Sequence, residues 1–318
     1  MKKTVCIVLA AAALVSCGGR AAKNTVQPAR RAFPSVEIPA MLTDGGERLD
    51  YILRHFWDRF TDTTTLYLCD SLTVNGASLE DAESQMGLYA TLLQQASPQL
   101  GKASVSAFFD RAETFGLRYP GSNVFQTLSE WSRKYFYDPN SPVRNEDFYG
   151  VYVARLAASP LTEDSLKPGY RYEAALCALN PVGSVATDFA FTDTAGKIRT
   201  LHGIKADWTL LIFGHPDCNA CRELTQIMES SSAISERIAS GELKVVDIFI
   251  DPEIEEWKAG KANYPATWIC GYDHTFQIRE NRLYHVRGIP SLYLLDADKK
   301  ILLKDAPQEI VLDMLEAL

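Results

Sequence analysis

The pair Cys218-Asn219-Ala220-Cys221 directly follows the apolar run Thr209-Leu210-Leu211-Ile212-Phe213 and opens a helical pattern that continues to about Ser240. No other feature constrains the fold as strongly. A continuous apolar run of that length reads as a buried central strand. A strand that feeds a helix through two cysteines sets the first thiol at the helix N-terminus. There it faces unpaired backbone N–H groups and the positive end of the helix dipole. Both favour the thiolate, the attacking species in disulfide exchange. Cys221, three residues on, is within reach to resolve a mixed disulfide, and its more buried position predicts a poorer first nucleophile.

The surrounding pattern is consistent with a sheet. Phe189, Phe191, Ile198 and Leu201 flank the turn Thr194-Ala195-Gly196-Lys197 and predict a hairpin. Leu243 to Ile250 predicts a second buried strand. Beyond a helical insertion, Ser291–Leu295 and Lys300–Leu303 predict a hairpin across Asp296-Ala297-Asp298-Lys299, and a last helix runs from Pro307. Residues 181–318 therefore read as an α/β unit with a mixed sheet covered by helices on both faces. Arg287-Gly288-Ile289-Pro290-Ser291 precedes a strand, where a cis Pro290 is tolerated. That geometry sets the Ile289 backbone opposite the cysteines, able to pair with an extended substrate segment.

Upstream the period changes. Leu49, Ile52, Leu53, Phe56, Trp57 and Phe60 share one helical face. Ser78 with Asp81 predicts a capped second helix through Gln95. Pro98 opens a third, Val124 to Tyr135 forms a fourth, and two more are predicted around 147–158 and 163–179. Residues 39–180 read as an all-α domain with no nucleotide loop and no metal-ligand spacing. His55, among aromatics, reads as a partly buried packing residue.

The segments Ala186-Thr187-Asp188-Phe189, Thr209–Phe213 into Cys218–Cys221, Lys244–Asp251, and Gly288-Ile289-Pro290 before Leu292–Asp296 resemble the thioredoxin superfamily. The likeness is to the envelope-facing TlpA/ResA-like thiol–disulfide oxidoreductases. The whole chain resembles a Bacteroidota-type lipoprotein in which a helical domain of unknown function precedes a thioredoxin-like fold. The resemblance implies Cys218 as nucleophile, Cys221 as resolving thiol, a reversible Cys218–Cys221 disulfide and Pro290 as the cis-proline. It implies protein thiols and disulfides of the envelope as substrates, a membrane electron donor or acceptor, and no cofactor or metal. Departures are specific. Asp217 stands where the family has Trp, and its charge opposes the helix dipole at Cys218. His215 and Arg222 are candidates to offset it. The family's buried acid, six residues before the first cysteine, is Ile212 here. Asp247 on the next strand is the candidate substitute, or else a strand-end residue facing solvent.

The N-terminus fixes the expected compartment. Lys2 and Lys3 precede a short apolar run from Val5 to Val15 and the ending Leu14-Val15-Ser16-Cys17. That run is too short to span a bilayer and matches a signal peptide over residues 1–16. The ending resembles a lipobox, which implies lipidation of Cys17 and insertion into the bilayer. Gly18 and Gly19 follow, without the inner-membrane retention Asp, and by resemblance this favours the outer membrane facing the periplasm; a soluble secreted protein in which Cys17 is incidental is the alternative. Residues 17–38 read as the lipidated cysteine and a tether. A net charge of -8 without a basic block excludes nucleic acid as a partner.

Of seven cysteines, Cys69, Cys177 and Cys270 sit in apolar settings and read as buried free thiols, a Cys69–Cys177 bridge being the alternative. A zinc or copper site from Cys218, Cys221 and His215 with His202, His274 or His285 is a weaker reading, since no second Cys-x-x-Cys exists. A peroxidase reading lacks its Thr, which is His215 here. A non-catalytic binding scaffold with an inert disulfide stands as the alternative function. Trp257, Tyr264, Trp268, Tyr272 and Tyr284 either line a partner groove or pack the insertion.

Overall fold

The structure, a computed structural model, describes residues 29–318. The expected signal segment, residues 1–16, and Cys17 lie outside the described residues. The first half holds helices α1 (Gly45–His55), α2 (Leu79–Leu93), α3 (Pro98–Arg118), α4 (Val124–Phe136), α5 (Glu146–Leu156) and α6 (Lys167–Cys177). Local signals set their starts. The Ser78 hydroxyl accepts the Asp81 N–H at 3.1 Å at the head of α2. Ser97 accepts from Leu100 at the head of α3, with Pro98 in its first turn. Trp57, Phe60, Tyr89, Phe108, Phe109 and Tyr152 fill one aromatic core.

This half is helical as expected, with one short addition: β1 (Thr73–Val74) pairs antiparallel with β2 (Ala77–Ser78) across an Asn75-Gly76 turn. Two finer expectations are corrected. The first helix ends at His55, and turns carry Phe56, Trp57 and Phe60 inward. The tether does not extend to residue 38. The Arg31 N–H donates to the Gly76 carbonyl at 2.9 Å and its guanidinium to the Phe60 carbonyl at 2.7 Å. Phe33 stacks on Phe60 at 4.7 Å, so the chain is fastened to the core from its first described residues.

The second half is a seven-stranded mixed sheet of order β4-β3-β7-β6-β5-β8-β9. Its strands are β3 (Ala190–Asp193), β4 (Ile198–Thr200), β5 (Trp208–Phe213), β6 (Leu243–Phe249), β7 (Ile269–Tyr272), β8 (Ser291–Leu295) and β9 (Ile301–Lys304). β6 runs parallel to β5 and β7, and the other pairings are antiparallel. The helices are α7 (Asn219–Ser230), α8 (Ser232–Ser240), α9 (Ile254–Gly260), α10 (Gln277–Glu280) and α11 (Gln308–Ala317). Leu224 and Met228 of α7, Ile234 of α8 and Val311 of α11 pack on Leu210, Ile212 and Leu292. Phe189, Ile278, Tyr284 and Tyr293 close the opposite face. The predicted helix 220–240 breaks at Ser231, whose extended backbone (ψ 114°) separates α7 from α8. β7 was not predicted. It is short and contains Gly271, where a Cβ would meet the Phe191 ring at 2.5 Å and the Thr192 carbonyl at 2.6 Å.

The halves meet through buried charge. Lys304 Nζ lies 3.1 Å from Glu146 Oε2, an ion pair outside hydrogen-bond alignment, and donates to the Cys177 carbonyl at 2.6 Å. Glu146 also pairs with His285. Arg287 Nη2 sits 2.5 Å from Asp305 Oδ2, and its guanidinium lies 4.4 Å over the Tyr137 ring. From the other side, Arg144 donates to the carbonyls of Asp305 and Ala306, each at 2.9 Å. Burial pushes the Glu146 carboxyl up, but His285, Lys304 and Arg287 outweigh it and hold it below the ordinary value. His285, named above as a candidate metal ligand, is therefore a contact between the halves.

Candidate functional site

Cys218 is the N-cap residue of α7, with extended backbone (φ -75°, ψ 122°). Its sulfur accepts the Cys221 N–H at 3.2 Å and lies 3.9 Å from the Ile289 carbonyl. It occupies the place a Ser or Asp takes in an ordinary cap, so the unpaired amides of the first turn face the sulfur. Cys218 is half-exposed and Cys221 is buried. Both are free thiols, so the expected Cys218–Cys221 disulfide is not formed here. Burial raises the Cys221 thiol well above its ordinary value, and the adjacent Cys218 sulfur adds to the effect. The Ile289–Pro290 bond is cis, and Ile289, 39% exposed, stands beside the nucleophile.

Asp247 is buried within the sheet, not exposed at a strand end. In the parallel register it stands beside Ile212, so its side chain joins Leu210 and Ile212 on the face covered by α7. Burial pushes its carboxyl up to about 7, with the Tyr264 hydroxyl opposing the shift. The two groups are close, yet neither Asp247 Oδ1 nor the Tyr264 hydroxyl completes a hydrogen bond. Gly214 leaves room for the carboxylate, since a Cβ there would lie 2.9 Å from Oδ2. Burial and Asp247 together raise the Cys270 thiol as well. Cys270 and Tyr264 thus belong to the floor of the site. Cys270 was read only as a core thiol, and what marks it is its register beside Asp247 across β6 and β7.

The other candidates separate. His215 Nδ1 accepts the Asp217 N–H at 3.1 Å, and its Nε2 faces Glu256 at 3.3 Å. The Asp217 side chain is exposed. Arg222 is bonded to the Asn219 side chain, which ties it within its own helix. The histidines proposed as further metal ligands do not converge on the cysteines. Among the described residues the one three-membered ligand group is Glu146, Cys177 and His285, and Lys304 already occupies its carboxylate. Trp257, Trp268 and Tyr284 are buried in packing. Cys69 and Cys177 are both free, without a bridge between them.

The comparisons agree with this architecture. A family model described as "Domain of unknown function (DUF5106)" matches residues 16–178, just over half the chain. The crystal structure of a thioredoxin-like protein from Bacteroides caccae is 30% identical and superposes with a TM-score of 0.76, covering 90% of this chain and 99% of that one. Likeness over so much of the chain takes in both halves and their arrangement. The C-terminal domain of an uncharacterized protein from Bacteroides fragilis is 38% identical with a TM-score of 0.41, covering 43% of this chain and 97% of that one. Mouse nucleoredoxin is 30% identical over 97 residues, 30% of this chain and 22% of its own length, so the chain spans about a fifth of that curated relative. With a DUF5106 region over residues 16–178 and a seven-stranded sheet carrying Cys218 and Cys221, the chain belongs to the DUF5106 family and has a thioredoxin-like fold in its second half.

Proposed function

We propose that the chain is a thiol–disulfide oxidoreductase acting on proteins of the cell envelope. In this reading it is held at the outer membrane by lipid on Cys17 and faces the periplasm. The observation that carries the reading is the placement of a half-exposed Cys218 sulfur on a helix cap, 3.9 Å from the Ile289 carbonyl, with Cys221 buried three residues behind it.

The reaction needs only sulfur chemistry and protons. The Cys218 thiolate attacks one sulfur of a substrate disulfide; a Cys218–substrate bond forms and the other substrate sulfur leaves as thiolate. Cys221 then gives its proton to the Asp247 carboxylate and attacks Cys218 Sγ. The second substrate thiolate leaves, and Cys218 and Cys221 remain as a disulfide holding the two-electron oxidation. An external dithiol, supplied by a membrane donor, restores the pair; run in reverse, the same steps oxidise substrate thiols. Residues 287–290 contribute the Ile289 backbone, against which an extended substrate segment pairs.

Insulin or model-disulfide reduction by the chain and by Cys218→Ser tests the chemistry. Loss of the rate on substitution is expected, while equal rates would leave a binding scaffold. A glutathione titration assigns the direction. Metabolic labelling with a radioactive fatty acid tests the anchor, and the label should vanish in Cys17→Ala.

A further inference from the structure

The helical half reaches the second half at the loop that faces Cys218. The turn between α4 and α5 lies against residues 287–290: a Cβ at Gly288 would sit 3.4 Å from Pro139 Cβ. Arg287, one residue earlier, stacks on Tyr137, and Arg144 holds the Asp305 and Ala306 carbonyls. Asp305 in turn accepts from Ser291, the first residue of β8, at 2.8 Å. Between these parts runs a cleft of about 390 Å³, lined by Pro139, Asn140 and Pro142 on one side and by Ala220, Ile289 and Glu309 on the other. Cys218, two residues before Ala220 and facing Ile289, stands at its edge.

The helical wall is fixed and open at once. Asp138, Pro139, Asn140 and Pro142 are exposed. Their backbone is held from beneath, where the Ser141 hydroxyl donates to the Tyr135 carbonyl at 2.7 Å and the Asn140 N–H to Asp138 Oδ1 at 2.8 Å. A rigid, solvent-facing turn costs little further ordering when a partner binds. A small thiol needs only Cys218 and the Ile289 backbone. The cleft continues past both, between two walls carrying polar and apolar groups, and this suits residues flanking a cysteine in an extended chain.

We propose that the helical half is the second wall of the substrate groove, with the turn at residues 138–142 gripping an extended, cysteine-bearing polypeptide segment joined to Cys218. This rests on the redox reading above. It gives the DUF5106 region a role in substrate selection and makes Asn140 a specificity-determining residue.

Single exchange tests the groove without turnover. The full chain carrying Cys6→Ser, Cys17→Ser, Cys69→Ser and Cys221→Ser leaves Cys218, half-exposed, with the buried Cys177 and Cys270 as its remaining thiols. It is reacted with cysteine, or with a short cysteine-containing peptide, each activated as its mixed disulfide with thionitrobenzoate. Cys218 bonds to the cysteine sulfur, the original S–S bond breaks, and thionitrobenzoate leaves with the electron pair, which is read by absorbance. The peptide should react about tenfold faster than the single amino acid. Asn140→Trp, on an exposed turn, should bring that ratio close to one. No peptide preference in the parent, or a preference unchanged by Asn140→Trp, overturns the proposal. As a second readout, a photoreactive residue beside the peptide cysteine should cross-link to residues 138–142; cross-links confined to the second half overturn it equally. Failure of insulin turnover by the unsubstituted chain, with Cys218 and Cys221 both present, would instead sink the redox reading, and the exchange ratio would still report on the groove.

Discussion

Asp247→Asn should remove a pH dependence from the stability of the thioredoxin-like half. Burial lifts the Asp247 carboxyl from 3.8 to about 7. The folded chain therefore binds this proton more tightly than the unfolded chain, and stability falls as pH rises between those values. At 1.36 kcal/mol per pH unit the full loss is about 4 kcal/mol, of which roughly 2.5 kcal/mol falls between pH 5 and pH 8. The group is fully buried, so solvent screening does not discount the figure. The Asn amide introduces donors with no evident partners at Asp247 Oδ1, a cost of ~1–3 kcal/mol at every pH. The diagnostic is therefore the change with pH and not the sign at one pH. Urea unfolding of the reduced parent and variant at pH 5 and pH 8 measures it, and the double difference cancels every other titrating group. Curves that stay parallel within about 0.5 kcal/mol would refute the buried-acid assignment.

Two further predictions test burial and the contact between the halves. Glu146→Gln removes the carboxylate that faces Lys304, Arg287 and His285, leaving buried cations short of a partner. It should cost about 3 kcal/mol in urea unfolding, and a loss under 1 kcal/mol would deny the ion cluster its structural part. Alkylation of the native reduced chain at pH 8, followed by peptide mass spectrometry, should modify Cys218 on the order of 100-fold faster than Cys221, Cys177 or Cys270, all buried with raised thiol pKa values. Comparable labelling of Cys270 would place it outside the site floor.

The elements with long apolar or amphipathic patterns were legible. The Thr209–Phe213 run is a buried interior strand of the sheet, between β6 and β8, and the Ser78 and Pro98 signals mark helix starts where the structure has them. What escaped was set by partners distant in sequence. β7 is four residues long and contains a glycine, so its strand character comes from pairing with β3 and β6 and not from its own propensity. Residues 29–33 look like linker by composition, yet Arg31 and Phe33 find partners near residues 60 and 76. His285 and Glu146 are ordinary polar residues in sequence. Only the docking of the two halves makes them a buried pair.

In the proposed reading, Asp247 stands in for the family's buried acid from one strand over. An acid six residues before Cys218 would lie on β5, where this chain has Ile212. Because β5 and β6 are parallel and Ile212 pairs with Asp247, both side chains project toward α7. Moving the carboxylate to β6 shifts it by one strand spacing, ~4.8 Å, and keeps it on the face that α7 covers. β5 then retains Leu210 and Ile212 as an apolar floor for Leu224 and Met228. The chemical requirement is also kept. A proton acceptor for Cys221 works best with a pKa near the working pH, and a carboxyl at its ordinary 3.8 is too weak a base for that. The burial that costs about 4 kcal/mol of stability above pH 7 is the same burial that brings Asp247 to about 7. If this coupling holds, Asp247→Asn flattens the stability profile and also slows release of the substrate from Cys218, so that mixed disulfide accumulates at pH 7. A flattened profile with normal release would separate the two and leave Asp247 a buried acid without a catalytic part.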